Sequence, residues 1–174
     1  TGYGGYKYIP GRWKKMAEQL IQTYNLGPGS KVLDVGCGKA FLLHEMKLLE
    51  PELIIYGFDI SKYALENNLD STKPHVYYQK AQDKYRYKDK EIDLVISLHV
   101  LHSLRLFDFE KAIKEINRVS KHAYVVVESY RNENELVNLQ CWATVCECFF
   151  DVDEWIYLFK KFNYTGDYEF VFFE

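Results

Sequence analysis

VLDVGCGKAFLL, residues 32–43, joins a short apolar run, a pair of glycines and an apolar pattern with helical spacing. The run Lys31–Val35 predicts a buried strand, and the spacing of Phe41–Leu49 predicts a helix. Between them, Gly36 and Gly38 allow a tight turn and let a ligand approach the backbone closely. The helix that follows offers free N–H groups and a partial positive charge at its start. The stretch therefore predicts a strand–turn–helix unit that binds a ligand.

Outward from this stretch, apolar runs alternate with helical patterns. The other strand candidates are Leu53–Phe58, Val76–Tyr78, Ile92–Ser97, Ala123–Val127 and a closing Tyr168–Phe173. The helix candidates are Arg12–Tyr24, Ser61–Asn68 with Ser61 as cap, Phe109–Val119 with Asp108 as cap, Leu136–Phe150 and Asp153–Phe162 with a left-handed Asn163 after it. This alternation predicts an α/β fold with a doubly wound, Rossmann-like sheet. We expect the sheet to be mostly parallel, with an antiparallel C-terminal strand.

The length of 174 residues predicts a single domain spanning 1–174. We divide it into an N-terminal arm and helix over the pocket (1–30), a ligand-binding core (31–128), and a C-terminal cap with the closing strand (129–174). The chain begins with Thr1 rather than Met, so we expect native N-terminal residues to be missing.

Composition and charge exclude several classes of protein. The net charge is −3, and residues 132–174 carry nine acidic side chains against two lysines, so neither nucleic acid nor a polyanion on that side is expected as a partner. No apolar run is long enough to cross a membrane, and no secretory signal is present. Four cysteines without a CxxC pair predict reduced thiols in a cytoplasmic protein and no metal site.

Asp59 ends the second strand candidate, 21 residues after Gly38. An acid about 20 residues beyond such a glycine loop accepts hydrogen bonds from ribose hydroxyls; the alternative is an acid that only caps the next helix. The dinucleotide fingerprint requires Gly or Ala where this chain has Phe41, which disfavours NAD. The pattern thus predicts a ligand with an adenosine-like ribose.

The motifs VLDVGCG (32–38), GFDIS (57–61) and IDLVISLHVLHSL (92–104) resemble the successive motifs of class I S-adenosylmethionine-dependent methyltransferases. The resemblance extends from Lys31 to about Glu128. Two positions depart from the pattern: Ala40 replaces the usual third glycine, and Asp83 lies two residues after the position of the usual adenine-binding acid.

The resemblance implies S-adenosylmethionine as the cofactor. In that family the loop glycines pass under its methionine part, the first acid holds the loop and the amino group, and the second acid holds the ribose. Residues after the second and third strands flank the adenine, and residues after the fourth strand lie next to the sulfur. Arg12 could lie near the cofactor's carboxylate, or it could only dock the N-terminal helix. The implied cofactor-binding residues are Asp34, Gly36, Gly38, Asp59, Ile60, Ala81, Gln82, Ser97, Leu98 and Arg12.

Candidate catalytic residues follow the fourth and fifth strands, at the edge where parallel sheets bind ligands. His99 and His102 could take a proton from a hydroxyl or an amine, and the resemblance favours His102, assisted by a tyrosine of the arm (Tyr3, Tyr6 or Tyr8). The alternative is that His102 caps a helix or packs in the interior. Glu128 could orient the substrate. Arg131 could clamp an anionic group of the substrate or be a surface charge.

Little sequence is inserted between the strands, so the cap over the pocket must come from the arm and from Cys141–Phe150. A small-molecule substrate is therefore expected. We predict methyl transfer from S-adenosylmethionine to an O or N atom of such a molecule, for example a sugar-like biosynthetic intermediate. The alternatives are an NAD-dependent oxidoreductase and a non-catalytic cofactor-binding subunit; the oligomeric state stays open.

Overall fold

The computed structural model describes residues 6–143 and 145–174. Its strands are β1 (Lys31–Val35), β2 (Ile54–Asp59), β3 (Val76–Tyr78), β4 (Ile92–Leu98), β5 (Ser120–Glu128) and β6 (Asp167–Val171). Its α-helices are α1 (Lys14–Thr23), α2 (Phe41–Leu49), α3 (Lys62–Glu66), α4 (Leu106–Val119), α5 (Glu133–Trp142) and α6 (Val152–Lys161), with 3₁₀ turns at Lys73–His75 and Leu101–Ser103. Most elements lie within a few residues of their predicted positions.

The six strands form one sheet in the order β3-β2-β1-β4-β5-β6, and every pair is parallel. The doubly wound, Rossmann-like prediction is confirmed. The strand order reverses between β1 and β4, and such a switch point opens a crevice at the carboxyl ends of the strands. The glycine loop after β1 and the histidine segment after β4 both lie at this crevice.

The predicted antiparallel C-terminal strand is wrong. Strand β6 pairs parallel with β5, from Tyr124 opposite Asp167 to Glu128 opposite Val171. After β5 ends, α6 carries the chain back along the sheet, so β6 starts at the same end as β5. A run of apolar residues such as Tyr168–Phe173 contains no information about the direction in which a strand runs.

Two helix predictions need correction. Helix α5 ends at Trp142 rather than Phe150, because Glu147 and Cys148 donate their backbone N–H groups to the carbonyl of His102 and not to helical partners. Helix α4 starts at Leu106, so Asp108 lies in its first turn and not at its N-cap. The predicted cap Ser61 does accept from the N–H of Ala64, and Asn163 is left-handed with φ 54°.

Helices cover both faces of the sheet. Successive residues of a strand point to opposite faces; Val32 packs into the core under α1 and α2, and Leu33 packs into the core under α4 and α6. The latter core is rich in aromatic rings, with Phe109 against Trp155 at a centroid distance of 5.3 Å. No helix in the described parts of the chain is long and apolar enough to cross a bilayer.

Candidate active site

The glycine loop, residues 36–40, leaves β1 in a conformation that favours glycine. Gly36 has φ 78° and Gly38 has φ 52°. A Cβ on Gly36 would lie 2.2 Å from Cγ2 of Val100, so even an alanine side chain does not fit there. The N–H groups of Gly36 and Cys37 both donate to the carbonyl of Phe58, at 2.9 and 3.0 Å. The loop is therefore held against β2 while the start of α2 stays beside the crevice.

Asp59 joins the glycine loop to the next helix. Its Oδ2 accepts from the N–H of Gly38 at 2.8 Å, and its Oδ1 accepts from the N–H of Ser61 at 2.7 Å. The carboxylate thus contacts the start of α3, as the structural alternative predicted, and also orders the loop. An ionised carboxylate has about four acceptor positions, so acceptor capacity remains for ribose hydroxyls.

Asp34 is a buried carboxylate without a hydrogen-bond donor among the described residues. It lies on β1, two residues before Gly36, and is 5% exposed. Burial, and secondly the charge of Asp59, raise the pKa of Asp34 to about 7. Buried charged groups are normally paired. An unpaired carboxylate beside a glycine loop fits the amino group of a bound amino-acid-like ligand, as the resemblance implies for S-adenosylmethionine.

The other predicted cofactor contacts differ in their environment. Ile60 is 63% exposed beside Asp59 and offers an apolar surface for adenine. Ala81 is buried and Gln82 half-buried in the turn after β3.

At the end of β4, Ser97 is fully buried, and its hydroxyl donates to the carbonyl of Val35 at 3.3 Å. The Ser97 side chain is thus engaged within the sheet. The next residue, Leu98, packs partly buried against the core under α1 and α2. Arg12 is exposed in the turn before α1.

His99, Glu128 and His102 come together at the ends of β4 and β5. Nδ1 of His99 lies 2.6 Å from Oε1 of Glu128, and Nδ1 of His102 contacts Oε2. Glu128 is fully buried at the last position of β5. It therefore holds the two histidines, instead of facing a substrate as the sequence suggested.

The charge of Glu128 is fixed by its two partners. Burial, the largest influence, raises its pKa, but the neighbouring imidazoles of His102 and His99 outweigh burial and lower the pKa to about 2. An ionised carboxylate only accepts hydrogen bonds, so His99 donates through Nδ1 and keeps Nε2 as its basic atom. The side chain of His99 is 35% exposed and that of His102 only 4%. His99 is thus the more accessible of the two.

Packing behind Glu128 keeps the group in place. The indole Nε1 of the buried Trp155 donates to the backbone carbonyl of Glu128 at 3.0 Å. Next along the chain, the hydroxyl of Ser129 donates to the carbonyl of Phe150 at 3.1 Å. The segment after α5 is thereby tied to the end of β5.

The N-terminal arm lies against α2 beside the glycine loop. The Tyr8 hydroxyl and the Gly11 N–H both donate to Oε1 of the buried Glu45, at 2.9 and 2.8 Å. The Tyr8 ring also packs against Phe41 and His44. Sequence reasoning missed Glu45; an acid between the apolar residues Leu43 and Met46 of the helical run was the available signal.

The structure does not bring the described arm tyrosines to His102. The contacts of Tyr8 are with α2, and Tyr6 is 78% exposed, its carbonyl accepting from Lys39 Nζ at 2.7 Å. Tyr3 lies outside the described residues. The predicted pairing of His102 with an arm tyrosine therefore has no support among Tyr6 and Tyr8.

Arg131 is engaged by acidic side chains. Its guanidinium bonds both oxygens of Glu135 and reaches Glu174 at 2.8 Å, with the Phe172 ring 4.3 Å away. This arrangement matches a surface charge and not an open clamp for a substrate anion.

The thiols near the site are protonated. Cys146 donates to the backbone carbonyls of His102 and Cys148, Cys148 donates to that of Leu104, and burial raises the pKa of both thiols to about 11. Within residues 6–143 and 145–174, no group of three or more His, Cys, Asp or Glu side chains is arranged to hold a metal ion.

Comparisons with known proteins agree with this geometry. The family model described as "Methyltransferase domain" matches residues 26–163. The mouse (Mus musculus) protein named arginine-hydroxylase NDUFAF5, mitochondrial, is 28% identical over 117 residues, which cover 66% of this chain and 33% of that protein. The chain thus spans about a third of the length of the curated relatives it matches.

Solved structures share the fold at low identity. YcgJ from Bacillus subtilis has a TM-score of 0.67 and 20% identity, covering 85% of this chain and 67% of that one. Geranyl diphosphate C-methyltransferase from Streptomyces coelicolor A3(2), solved with S-adenosyl-L-homocysteine, has a TM-score of 0.66 and 12% identity, covering 84% and 58%. Together with the family model, which covers most of the sequence, the glycine loop and its two acids show that this chain belongs to the class I S-adenosylmethionine-dependent methyltransferases.

Proposed function

We propose that this protein transfers the methyl group of S-adenosylmethionine to an O or N atom of a small molecule, and that His99 accepts the proton released. The observation that carries the proposal is the hydrogen bond between His99 and Glu128 beside the crevice, with His102 in contact with the second oxygen of Glu128. A histidine held by an ionised carboxylate is a common form of general base.

Residues of the crevice fit the cofactor. Asp34 would bind its amino group, and the glycine loop would pass under its methionine part. Asp59 would bind the ribose hydroxyls, with Ile60 against the adenine. The cofactor supplies a methyl group that is already activated by a positively charged sulfur, so the chain's own task is to position the acceptor and exclude water.

His99 would act at the acceptor atom. When the lone pair of the acceptor O or N forms the new bond to the methyl carbon, the carbon–sulfur bond breaks and its electrons stay on sulfur. The acceptor's proton moves to Nε2 of His99. Glu128 stabilises the imidazolium through Nδ1, and His102 holds the second oxygen of Glu128 as a positioning residue.

A small acceptor is supported by the short connections between the strands, which add little chain over the crevice. The crevice can be covered by the arm before α1 and by the segment between α5 and α6. We extend the proposal to a sugar-like intermediate, because tyrosine-rich caps offer both apolar faces and hydroxyl groups. Free thiols at all four cysteines suit a reducing compartment such as the cytoplasm.

Calorimetry and labelled-product analysis test the proposal. We expect S-adenosylhomocysteine to bind and NAD not to bind. Label from the cofactor's methyl group should then appear on a component of a fractionated metabolite extract. His99→Gln should abolish labelling without changing S-adenosylhomocysteine affinity, while the control His75→Gln keeps both. Binding of NAD alone would contradict the proposal.

The names of the curated relatives make hydroxylation an alternative reaction, and the same assay must distinguish it from methylation. They are named arginine-hydroxylases, and 28% identity links one of them to this chain. The mass of the product distinguishes the two reactions, because methylation adds one CH₂ and hydroxylation adds one oxygen. A product that gains oxygen and carries no label from the cofactor would replace the proposed reaction.

A further inference from the structure

A second cleft opens between the first turns of α4 and α6, outside the cofactor crevice. Its volume is about 420 Å³, and it is lined by Leu106, Phe150, Asp153, Glu154, Tyr157 and Leu158. Most of the lining is apolar. Apart from Phe150, which lies in the segment proposed to cover the crevice, these residues have no role in the proposed methyl transfer.

The cleft lies next to the catalytic group. The ring of Phe150 packs against Trp155 with centroids 5.2 Å apart, and Trp155 in turn bonds the carbonyl of Glu128. Leu106 follows His102 by four residues. The cleft is therefore linked to Glu128 through Phe150 and the buried Trp155, from behind the catalytic group.

The charge in and around the cleft is negative. Asp151 and Glu154 cap α6 through one oxygen each, which leaves their other oxygens available. Asp153 makes no hydrogen bond or ion pair with any part of the chain that the structure describes. The start of a helix carries about half a positive charge, so three carboxylates leave the α6 end of the cleft clearly negative. No lysine or arginine is among the lining residues.

The aromatic lining suits a flat cation. Tyr157 is 61% exposed, and Lys161 Nζ lies 5.7 Å from its ring centroid, so an incoming cation must displace this lysine or use the opposite face of the ring. A guanidinium stacks on aromatic rings and pairs with carboxylates through two parallel hydrogen bonds, whereas an ammonium is a compact, strongly hydrated charge. Apolar neighbours such as Leu106 would cover the methylene stem.

We propose that this cleft docks an arginine side chain presented by an extended peptide, so that the protein recognises a basic segment of a partner protein. Asp153 and Glu154 pair with the guanidinium, Tyr157 lies against its face, and Leu106 and Phe150 contact the stem and the neighbouring apolar residues. This goes beyond the proposed methyl transfer, because docking requires neither the cofactor nor His99.

Titration calorimetry with three blocked tripeptides tests the proposal: acetyl-Leu-Arg-Leu-amide, its lysine analogue and its citrulline analogue. Citrulline keeps the shape of arginine and removes the charge. We expect the arginine peptide to bind at least about tenfold more tightly than the citrulline peptide, and more tightly than the lysine peptide. Its affinity should fall as salt is raised. Equal affinity for arginine and citrulline, or no arginine binding at millimolar concentration, would overturn the proposal.

Variants localise the binding. Asp153→Asn with Glu154→Gln, which keeps a side-chain oxygen to cap the helix, should weaken arginine binding at least about tenfold, and Tyr157→Ala should weaken it as well. Glu133→Gln in the first turn of α5 is the matched control and should bind as the unaltered protein does. S-adenosylhomocysteine affinity should be the same in all of them, so a failure of docking is distinguishable from a failure of the cofactor site. Unchanged peptide affinity in the double variant would refute docking in this cleft.

Discussion

Asp34 links cofactor binding to pH. Replacing it by asparagine should make the free energy of unfolding of the ligand-free protein less dependent on pH. The carboxyl group has a usual pKa of 3.8, and burial with the nearby charge of Asp59 raises it to about 7. The folded protein thus binds a proton here that the unfolded chain has already lost. The stability associated with this proton is fully present below pH 3.8 and is lost as the pH rises through about 7.

The size of the effect follows from the two pKa values. One pKa unit corresponds to about 1.36 kcal/mol, so the rise from 3.8 to about 7 amounts to about 4 kcal/mol in total. About 2–3 kcal/mol of this is lost between about pH 5 and about pH 8. An asparagine does not titrate, so the Asp34→Asn variant should lack this part of the pH dependence.

Urea unfolding at these two pH values measures the difference. The free energy of unfolding should decrease by about 2–3 kcal/mol more in the unaltered protein than in Asp34→Asn; Asp70→Asn, at an exposed position, should behave like the unaltered protein. Asp34→Asn should also lose S-adenosylhomocysteine binding. In the unaltered protein at about pH 6, binding should release a proton, seen as a dependence of the calorimetric heat on the buffer. Equal pH dependence in Asp34→Asn and the unaltered protein would refute this account of the buried carboxyl.

Three other positions test other parts of the site. His99→Gln should lower turnover by about 10²–10⁴-fold with unchanged S-adenosylhomocysteine affinity; full turnover would remove His99 from proton transfer. Gly36→Ala should weaken cofactor binding by about tenfold or more and lower the melting temperature, because its Cβ would meet Val100 at 2.2 Å; calorimetry and thermal unfolding check this. Glu45→Gln should cost about 1–2 kcal/mol and speed amide exchange in residues 6–12, since Tyr8 and Gly11 lose a charged acceptor. Unchanged exchange would show that the arm is held by other contacts.

Local patterns in the sequence predict much of the fold, because strands and helices here are encoded within short stretches. The glycine loop and Asp59 were predicted in this way, because the residues of a turn and of a strand end themselves determine the local backbone. The direction of β6 is different. It depends on where α6 delivers the chain, and the pattern of residues 168–173 is the same for either direction. The end of α5 likewise depends on His102, whose carbonyl takes the N–H groups of a segment more than forty residues away.

The catalytic group shows the same limit at the level of side chains. His99 and Glu128 are 29 residues apart, and they meet because β4 and β5 pair with Leu98 opposite Val126. The sequence places both residues at strand ends, but the register that joins them arises only when the strands pair. The sequence favoured His102 because of a family resemblance. That resemblance does not indicate that His102 is buried while His99 is accessible.

The segment from His99 to His102 connects the two halves of the site. Val100 fills the space above Gly36 that a side chain would otherwise occupy, while the histidines on either side hold the two oxygens of Glu128. His99 adopts a left-handed conformation with φ 59°, which is uncommon for a residue other than glycine. A conformation of this kind costs of order 1–3 kcal/mol and persists only where surrounding contacts determine it. Those contacts are its Nδ1 bond to Glu128 and its backbone N–H bond to Val126. Because one short turn both packs on the cofactor loop and orients the base, a shift of the loop would change the position of His99 as well.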